Sequence, residues 1–223
     1  DCAAQKESHM KYIQDASHAR WKVREVSSDF MLGLRRTIHH EGDAMVLTIT
    51  QEEYIKGVVE AYKEHIKVAG FEHLSPETPT PPNEYLSLDD EVEEQEWKRV
   101  LERGYRGVCG SLIWPSRFAH KELAYGCSLL CRVMSKPSER AWQFGMQMIA
   151  WLRDNAKRGM RFRSDFDEHG LVASCDSSNK PDPHDGRVQH SRNVKWMGGT
   201  IGDVSNKLKH LGYGSPANEY MAL

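Results

Sequence analysis

Two carboxylates in the last quarter of the chain stand where metal or acid–base chemistry could be done. Asp176 ends a short apolar run, Leu171-Val172-Ala173-Ser174-Cys175, and small polar residues follow it. A carboxylate at the end of a strand, beside a turn, is a common position for a metal ligand or an acid–base group. The plainer reading is an aspartate that caps a turn, and for Asp176 taken alone it is the better one. Glu219, in Glu219-Tyr220-Met221-Ala222-Leu223, taken alone is an ordinary helix-surface glutamate. Cys127 and Cys131 are spaced i, i+4, which puts both thiols on one helix face. A metal site there would need two further ligands and none is evident nearby, so buried free thiols are the better reading. The eleven histidines give no pair at metal-ligand spacing with a third ligand: His39 and His40 lie beside a turn, and His184 lies in a polar loop.

The net charge of -2 conceals an uneven distribution. Ten acidic residues lie between Glu72 and Glu102, against Lys98 and Arg99. The reverse holds further on, where Arg132, Lys136, Arg140, Arg153, Lys157, Arg158, Arg161 and Arg163 face only Glu139 and Asp154. Such a basic stretch could meet the phosphates of nucleic acid, although an ordinary solvated helix surface is the simpler reading of charge alone. Hydrophobic residues make up 39% of 223, enough for real cores in one large or two small domains. A mean hydropathy of -0.65 and short apolar runs exclude a membrane-spanning helix, and no signal peptide is visible. The five cysteines are odd in number and scattered, which fits a reduced intracellular compartment better than a disulfide scaffold.

The elements that must position these groups follow from periodicity. Residues 3–19 read as a helix. A hairpin comes next, with Phe30-Met31-Leu32-Gly33-Leu34 on one side, Ala44 to Ile49 on the other and Glu41-Gly42-Asp43 as the turn. Thr50 with Glu53 reads as a capping box for a helix carrying Ile55, Val58, Val59, Tyr62 and Ile66, and Gly70 reads as its stop. Thr78-Pro79-Thr80-Pro81-Pro82 can be neither helix nor central strand. Helices are predicted at about 97–114, 118–134 and 138–157, the last with a core stripe of Ala141, Trp142, Gly145, Met148, Ile149 and Leu152. Strand-like runs follow at 160–163, 171–175 and 188–196, so a domain boundary is placed near residue 160. The first residue is Asp1, and Ser215 to Leu223 reads as a loop entering a helix; both ends suggest a segment of a longer polypeptide.

Several blocks resemble one family in order. Tyr105-Arg106-Gly107-Val108-Cys109-Gly110-Ser111-Leu112-Ile113-Trp114 resembles the YRSLVGSLLYL block of copia-type retrotransposon polyproteins. LAYGCSLLCRVMSKPSERAWQFGMQMIAWLRD is similar to IAFAVNLLSRFMSKPTxxHWxAAxRILRYLKGT. Upstream, FMLGLRR, a hairpin and LTITQEEYIKGVVEAY resemble YFLGIEI, a hairpin and SQxKYIxxLLxxF. Downstream, VASCDSSNKPDPHDGR resembles VGYSDADWAGDPDDRK, and the stretch from Met197 to Leu223 follows LGGGPISWSSKKQKTVALSSTEAEYMAL, ending on an identical EYMAL. The resemblance covers about residues 20–223. The chain departs from it where DADW reads Asp176-Ser177-Ser178-Asn179, where STEAE reads Ser215-Pro216-Ala217-Asn218-Glu219, and where RPDI reads His120-Lys121-Glu122-Leu123.

The resemblance implies an α+β fold, a palm-edge hairpin plus helical thumb followed by a truncated RNase H-like mixed sheet. Residues 1–70 would be the end of a reverse transcriptase palm and the first thumb helix. Residues 71–96 would be a Pro-rich acidic linker, 97–159 the thumb and connection helices, and 160–223 the N-terminal part of an RNase H-like domain. The activity implied is RNA-directed DNA polymerase with RNase H, acting on an RNA/DNA hybrid. The YVDD aspartates of the palm have no counterpart here, since no YxDD occurs in the chain. Asp176 and Glu219 match two members of the RNase H carboxylate cluster, whose cofactor in an intact parent is Mg²⁺ or Mn²⁺. They should approach each other, with strand 188–196 antiparallel beside Asp176 and a third strand around Lys207 to Gly212. The implied partners are duplex nucleic acid and the remainder of the Pol polyprotein, with no membrane. The implied location is intracellular: cytoplasmic (in a virus-like particle), nuclear, or both. The departures leave a second reading, a catalytically dead or domesticated nucleic-acid-binding relic.

Overall fold

The computed structural model describes residues 7–22, 29–82, 84–88, 90–166, 170–177 and 185–208. The chain is mixed α and β, with seven α-helices and two antiparallel sheets among the described residues. α1 (Glu7–His18) precedes the first sheet.

Two-residue turns build that sheet. β1 (Phe30–Met31) turns at Leu32-Gly33 into β2 (Leu34–Glu41), and β2 turns at Gly42-Asp43 into β3 (Ala44–Thr50). Positive φ at Leu32 (54°), Gly33 (77°) and Gly42 (62°) gives the primed turn geometry whose twist suits flanking strands. The sequence places residues 30–34 opposite 44–49. In the structure the backbone reversal at Leu32-Gly33 folds that run onto itself, and β3 pairs instead with residues 35–41 of β2. β4 (Gly159–Arg163) adds to the far side of β3, with Val46 opposite Arg163 and Thr50 opposite Gly159. The run 160–163, which the sequence groups with the C-terminal part, therefore belongs by pairing to the first sheet. A strand's partner is decided by long-range register rather than by its own residues.

The helical unit lies between β3 and β4 in sequence. It comprises α2 (Glu52–Ala61), α3 (Lys63–Val68), α4 (Glu94–Glu102), α5 (Tyr105–Arg117), a 3₁₀ turn at Lys121–Leu123, α6 (Ala124–Arg132) and α7 (Glu139–Asn155). The expected capping box does not form. Thr50 is held in β3, Gln51 occupies the N-cap without a side-chain cap bond, and the Glu53 carboxylate is taken by Arg35. Gly70 (φ 85°) stops α3 as expected, its N–H donating to Lys67 O at 3.0 Å. The helix expected over 97–114 is two helices, broken at Gly104 (φ 102°).

Pro115 lies inside the last turn of α5, where a proline leaves the carbonyl four residues back without its helical donor. That carbonyl, Ser111 O, accepts from the Tyr54 hydroxyl at 3.1 Å. The Tyr105 hydroxyl, fully buried, donates to Leu130 O near the end of α6 at 3.0 Å.

α7 is the hub and packs against α2, α3, α4, α5 and α6. Ser138 caps it, accepting from Ala141 N at 3.2 Å. The expected stripe is buried, and Phe144, Met146 and Trp151 are buried too, so α7 is enclosed on nearly every side. Gly145 permits this, because a Cβ there would lie 2.7 Å from Val108 Cγ1 of α5. The Pro-rich stretch is fastened along α7. Arg153 donates to the carbonyls of Phe71, Glu72 and Leu74 at 2.8, 3.0 and 3.0 Å, and Gln147 donates to Thr78 O at 3.2 Å. Leu86 from the same stretch is a core residue.

The second sheet is an antiparallel meander of β5 (Val172–Ser177), β6 (Gln189–Trp196) and β7 (Gly199–Lys207). Met197 (φ 48°) and Gly198 (φ 78°) make another two-residue turn. That turn fixes the third strand at 199–207. The sequence expectation of a third strand over 207–212 is displaced to this earlier position, and residues beyond 208 lie outside the described residues. The two sheets meet where Arg163 N donates to Met197 O at 3.0 Å.

Candidate functional site

Asp176 lies on β5, the first strand of the meander, directly opposite Ser191 of β6, which is opposite Ser205 of β7. Its side chain is exposed, and Oδ1 accepts from Ser177 N at 2.8 Å. That bond is to the next residue of the same strand and ties the carboxylate to no other element. Side chains two residues apart share a sheet face, so register sets Asp203 of β7, opposite Asn193, on the same face as Asp176 but two strands away. Burial raises the Asp203 carboxyl above the usual range, and it faces α5 and α6 rather than Asp176. Glu219 and His184 lie outside the described residues. Among the described residues no group of three His, Cys, Asp or Glu side chains could hold a metal ion. Asp176 with serine neighbours is one carboxylate, not a donor set for a divalent pair.

The basic run is less free than its sequence suggests. Arg132 bonds the Tyr85 hydroxyl, donates to Gln189 Oε1 at 3.1 Å, and stands over the Tyr85 ring at 5.1 Å. Arg140 pairs with Glu84 at 3.1 Å, and Arg158 pairs with Glu122 at 2.9 Å while covering Trp151. Arg153 pairs with Asp154 at 2.8 Å besides holding the three loop carbonyls. Arg161 and Arg163 share Glu41, and Arg163 also reaches Asp165 at 2.9 Å. A hydrogen bond with His39, reinforced by these two guanidinium groups, holds Glu41 below the usual carboxylate range. All the arginines of the run thus have acceptors within the chain. Lys136 and Lys157 are exposed, and among the described residues neither ammonium group has an ion pair. They lie just beyond opposite ends of α7, separated by about 25 Å of helix.

Two features were not legible in the sequence. His120 is fully buried beneath Trp151, with ring centroids 6.1 Å apart, and among the described residues neither ring nitrogen has a partner. Burial pulls its pKa down to about 4. The second is a cleft of about 210 Å³ between α5, α6 and β7, lined by Arg117, Cys127, Ser128, Cys131 and Asp203 among others. Cys127 is buried as expected, and burial pushes its thiol up to about 12. Cys131 is only half-buried, and the influence of the Cys109 thiol of α5 lowers its pKa to about 7. The i, i+4 spacing announces the first pair; the approach of Cys109 from another helix has no signal along the chain.

Compared with protein-family models, curated proteins and solved structures, the chain matches none.

Proposed function

We propose that the chain is a segment of a copia-type retrotransposon Pol polyprotein, running from the end of a reverse transcriptase palm through its thumb into an RNase H-like domain. The observation that carries this reading is the setting of Asp176. It stands on the leading strand of an antiparallel three-stranded meander that follows a helical unit, the order that the family blocks imply. The role proposed for this segment is to grip an RNA/DNA hybrid. Exposed ion pairs contribute only about 0–1 kcal/mol, so phosphates can take over arginines now paired with Glu41, Glu84 or Glu122. Lys136 and Lys157, which make no ion pair among the described residues, need no such exchange. No described helix is long and apolar enough to cross a membrane.

In this reading Mg²⁺ or Mn²⁺ belongs to the intact parent, with Asp176 and Glu219 as two of its carboxylates, and the metal would activate water against the RNA phosphodiester. No YxDD occurs in the chain, so the chain by itself is read as lacking polymerase activity. A second reading, a domesticated or decayed binding relic, is favoured by one observation: serines, not carboxylates, neighbour Asp176 across β6 and β7.

Fluorescence anisotropy with a labelled RNA/DNA hybrid tests the binding role. Affinity should fall steeply between roughly 50 and 200 mM salt, because counterions are released when phosphates are neutralised. Salt-insensitive binding would refute it. In parallel, primer extension by the purified chain that disappears on chelation would overturn the reading that it lacks polymerase activity. An intact YVDD upstream and a further aspartate downstream in the parent gene would favour the polymerase reading over the relic.

A further inference from the structure

We propose that Ser75 is a phosphorylation site for a proline-directed kinase, and that the phosphate unfastens residues 71–77 from α7. The proposal stands on the way that stretch is held and is independent of the polymerase reading. Three Ser/Thr-Pro dipeptides, Ser75-Pro76, Thr78-Pro79 and Thr80-Pro81, follow one another closely. The stretch is neither helix nor strand, and each proline holds the residue before it in extended backbone, the form in which kinases take their substrates. Ser75 is exposed, and its hydroxyl donates to Asp154 Oδ2 at 2.8 Å, so α7 feels a modification there directly. The other two positions differ. Thr78 is exposed, but its hydroxyl donates to Thr80 O at 2.7 Å, within its own loop. Thr80 is half-buried, with its methyl against α6 at Gly126.

The cation beside Ser75 is already fully engaged. A guanidinium has five N–H donors, and on Arg153 each has an acceptor. The Asp154 carboxylate takes two, at 2.8 and 3.1 Å, and the carbonyls of Phe71, Glu72 and Leu74 take the other three. Arg153 therefore has none left for a phosphate. Once esterified, the Ser75 oxygen has no proton to give Asp154, and a charge of about −2 stands beside that carboxylate. To bind the phosphate, Arg153 must give up loop carbonyls. Giving up Asp154 instead leaves that carboxylate uncompensated next to the new charge. Lys67 and His73, the basic residues nearest along the chain, already face Glu72 at 3.5 and 3.7 Å. Leu86 in the core and the Gln147 bond to Thr78 O hold the far end of the stretch, so the opening is confined to residues 71–77.

The transfer balances with ATP as the donor. Ser75 Oγ attacks the γ-phosphorus; the new O–P bond forms, the bond from that phosphorus to the bridging oxygen breaks, and ADP leaves with the electron pair. The hydroxyl proton passes to a base of the kinase. One serine and one ATP give one phosphoserine, one ADP and one proton.

The experiment uses the full folded chain, incubated with a proline-directed mitogen-activated protein kinase and Mg-ATP. Mass spectrometry of a digest should find phosphate on Ser75. The chain modified at Ser75 is then compared with the unmodified chain under brief chymotrypsin treatment. Cleavage after Phe71, whose carbonyl Arg153 holds, should rise about tenfold, because cleavage follows the open fraction and a hydrogen bond to a charged group is lost. In Asp154→Asn the side chain keeps an acceptor and gains a donor for the phosphate, so modification of that variant should change cleavage by less than about twofold. Phosphate on Thr78 or Thr80 but not on Ser75, or on none of the three, would overturn the proposal. So would a modified wild-type chain that is cut no faster than the unmodified one, or an equal rise in wild type and Asp154→Asn. The wild-type comparison decides even if the variant fails to fold.

Discussion

Replacing His120 with methionine should remove a specific pH dependence of stability. The imidazole is fully buried, has no partner for either nitrogen among the described residues, and titrates at about 4 in the fold against 6.5 as a free group. Between those values the unfolded chain binds a proton that the folded chain does not. Stability is therefore at its full level above pH 6.5, falls as pH drops towards 4, and levels off below. Integrating the binding curves gives a loss of about 2 kcal/mol between pH 7.5 and pH 5, and about 3 kcal/mol below pH 4. Methionine fills irregular apolar space and leaves no orphaned donor or acceptor, so His120→Met should be neutral or stabilising at pH 7.5. At pH 5 it should exceed the wild type by about 2 kcal/mol, or some 4–8 °C in Tm for a chain of this size. Glu122 and Arg158, the charged groups that act on His120, push its pKa in opposite directions, and their effect is already contained in the lowered value. Urea unfolding followed by circular dichroism at pH 7.5, 6 and 5 measures the difference. Stability curves that run parallel for the two proteins would show that the imidazole takes up its proton normally, and the dry-pocket reasoning would fail.

Gly145→Val should cost about 1–3 kcal/mol by forcing α5 from α7, whereas Gly110→Ala, with nothing within 4 Å of the added carbon, should stabilise by about 0.5–1 kcal/mol; urea midpoints separate the two. Tyr105→Phe should cost about 1–3 kcal/mol, because it leaves the Leu130 carbonyl without that donor inside the core, and thermal unfolding reads it directly. Lys157→Ala should lower the salt slope of hybrid binding by about one unit, and Arg158→Ala by less, since Arg158 already spends its charge on Glu122; equal slopes for both variants would contradict the assignment.

The helical core was legible because its signals are local. The α7 stripe, the Gly70 stop and the Gly42 turn can each be read within a few residues, and each is where the spacing puts it. What failed depends on partners far along the chain. Thr50 and Glu53 have the residue types of a capping box, yet Thr50 is drawn into a strand by Arg35 on one side and Gly159 on the other. Residues 30–34 have strand composition, but a leucine at φ 54° reverses the backbone, and nothing in its side chain announces that. The five-residue β4 could have gone to either sheet, and only its register against Val46 to Thr50 decides.

The same division governs the candidate site. Strand periodicity puts Asp176 near the end of β5, and its antiparallel pairing with the 188–196 strand is what the resemblance implied rather than a property of that run. The meaning of the basic run does not follow in that way, because charge counted along a sequence says nothing about what each charge faces. Glu41, a residue of a hairpin turn, meets Arg161 and Arg163 only because β4 crosses to β3; Glu84 and Glu122 reach Arg140 and Arg158 from segments that periodicity treats as separate. The acidic excess between Glu72 and Glu102 meets the basic excess that follows it at Glu84, which pairs with Arg140 of α7. A polyanion approaching this surface must compete with those carboxylates at the arginines, whereas among the described residues Lys136 and Lys157 make no ion pair, although Lys157 lies within the electrostatic reach of Glu52. The contrast between paired and unpaired cations, rather than the net charge, is therefore what a salt titration of the single-site variants measures.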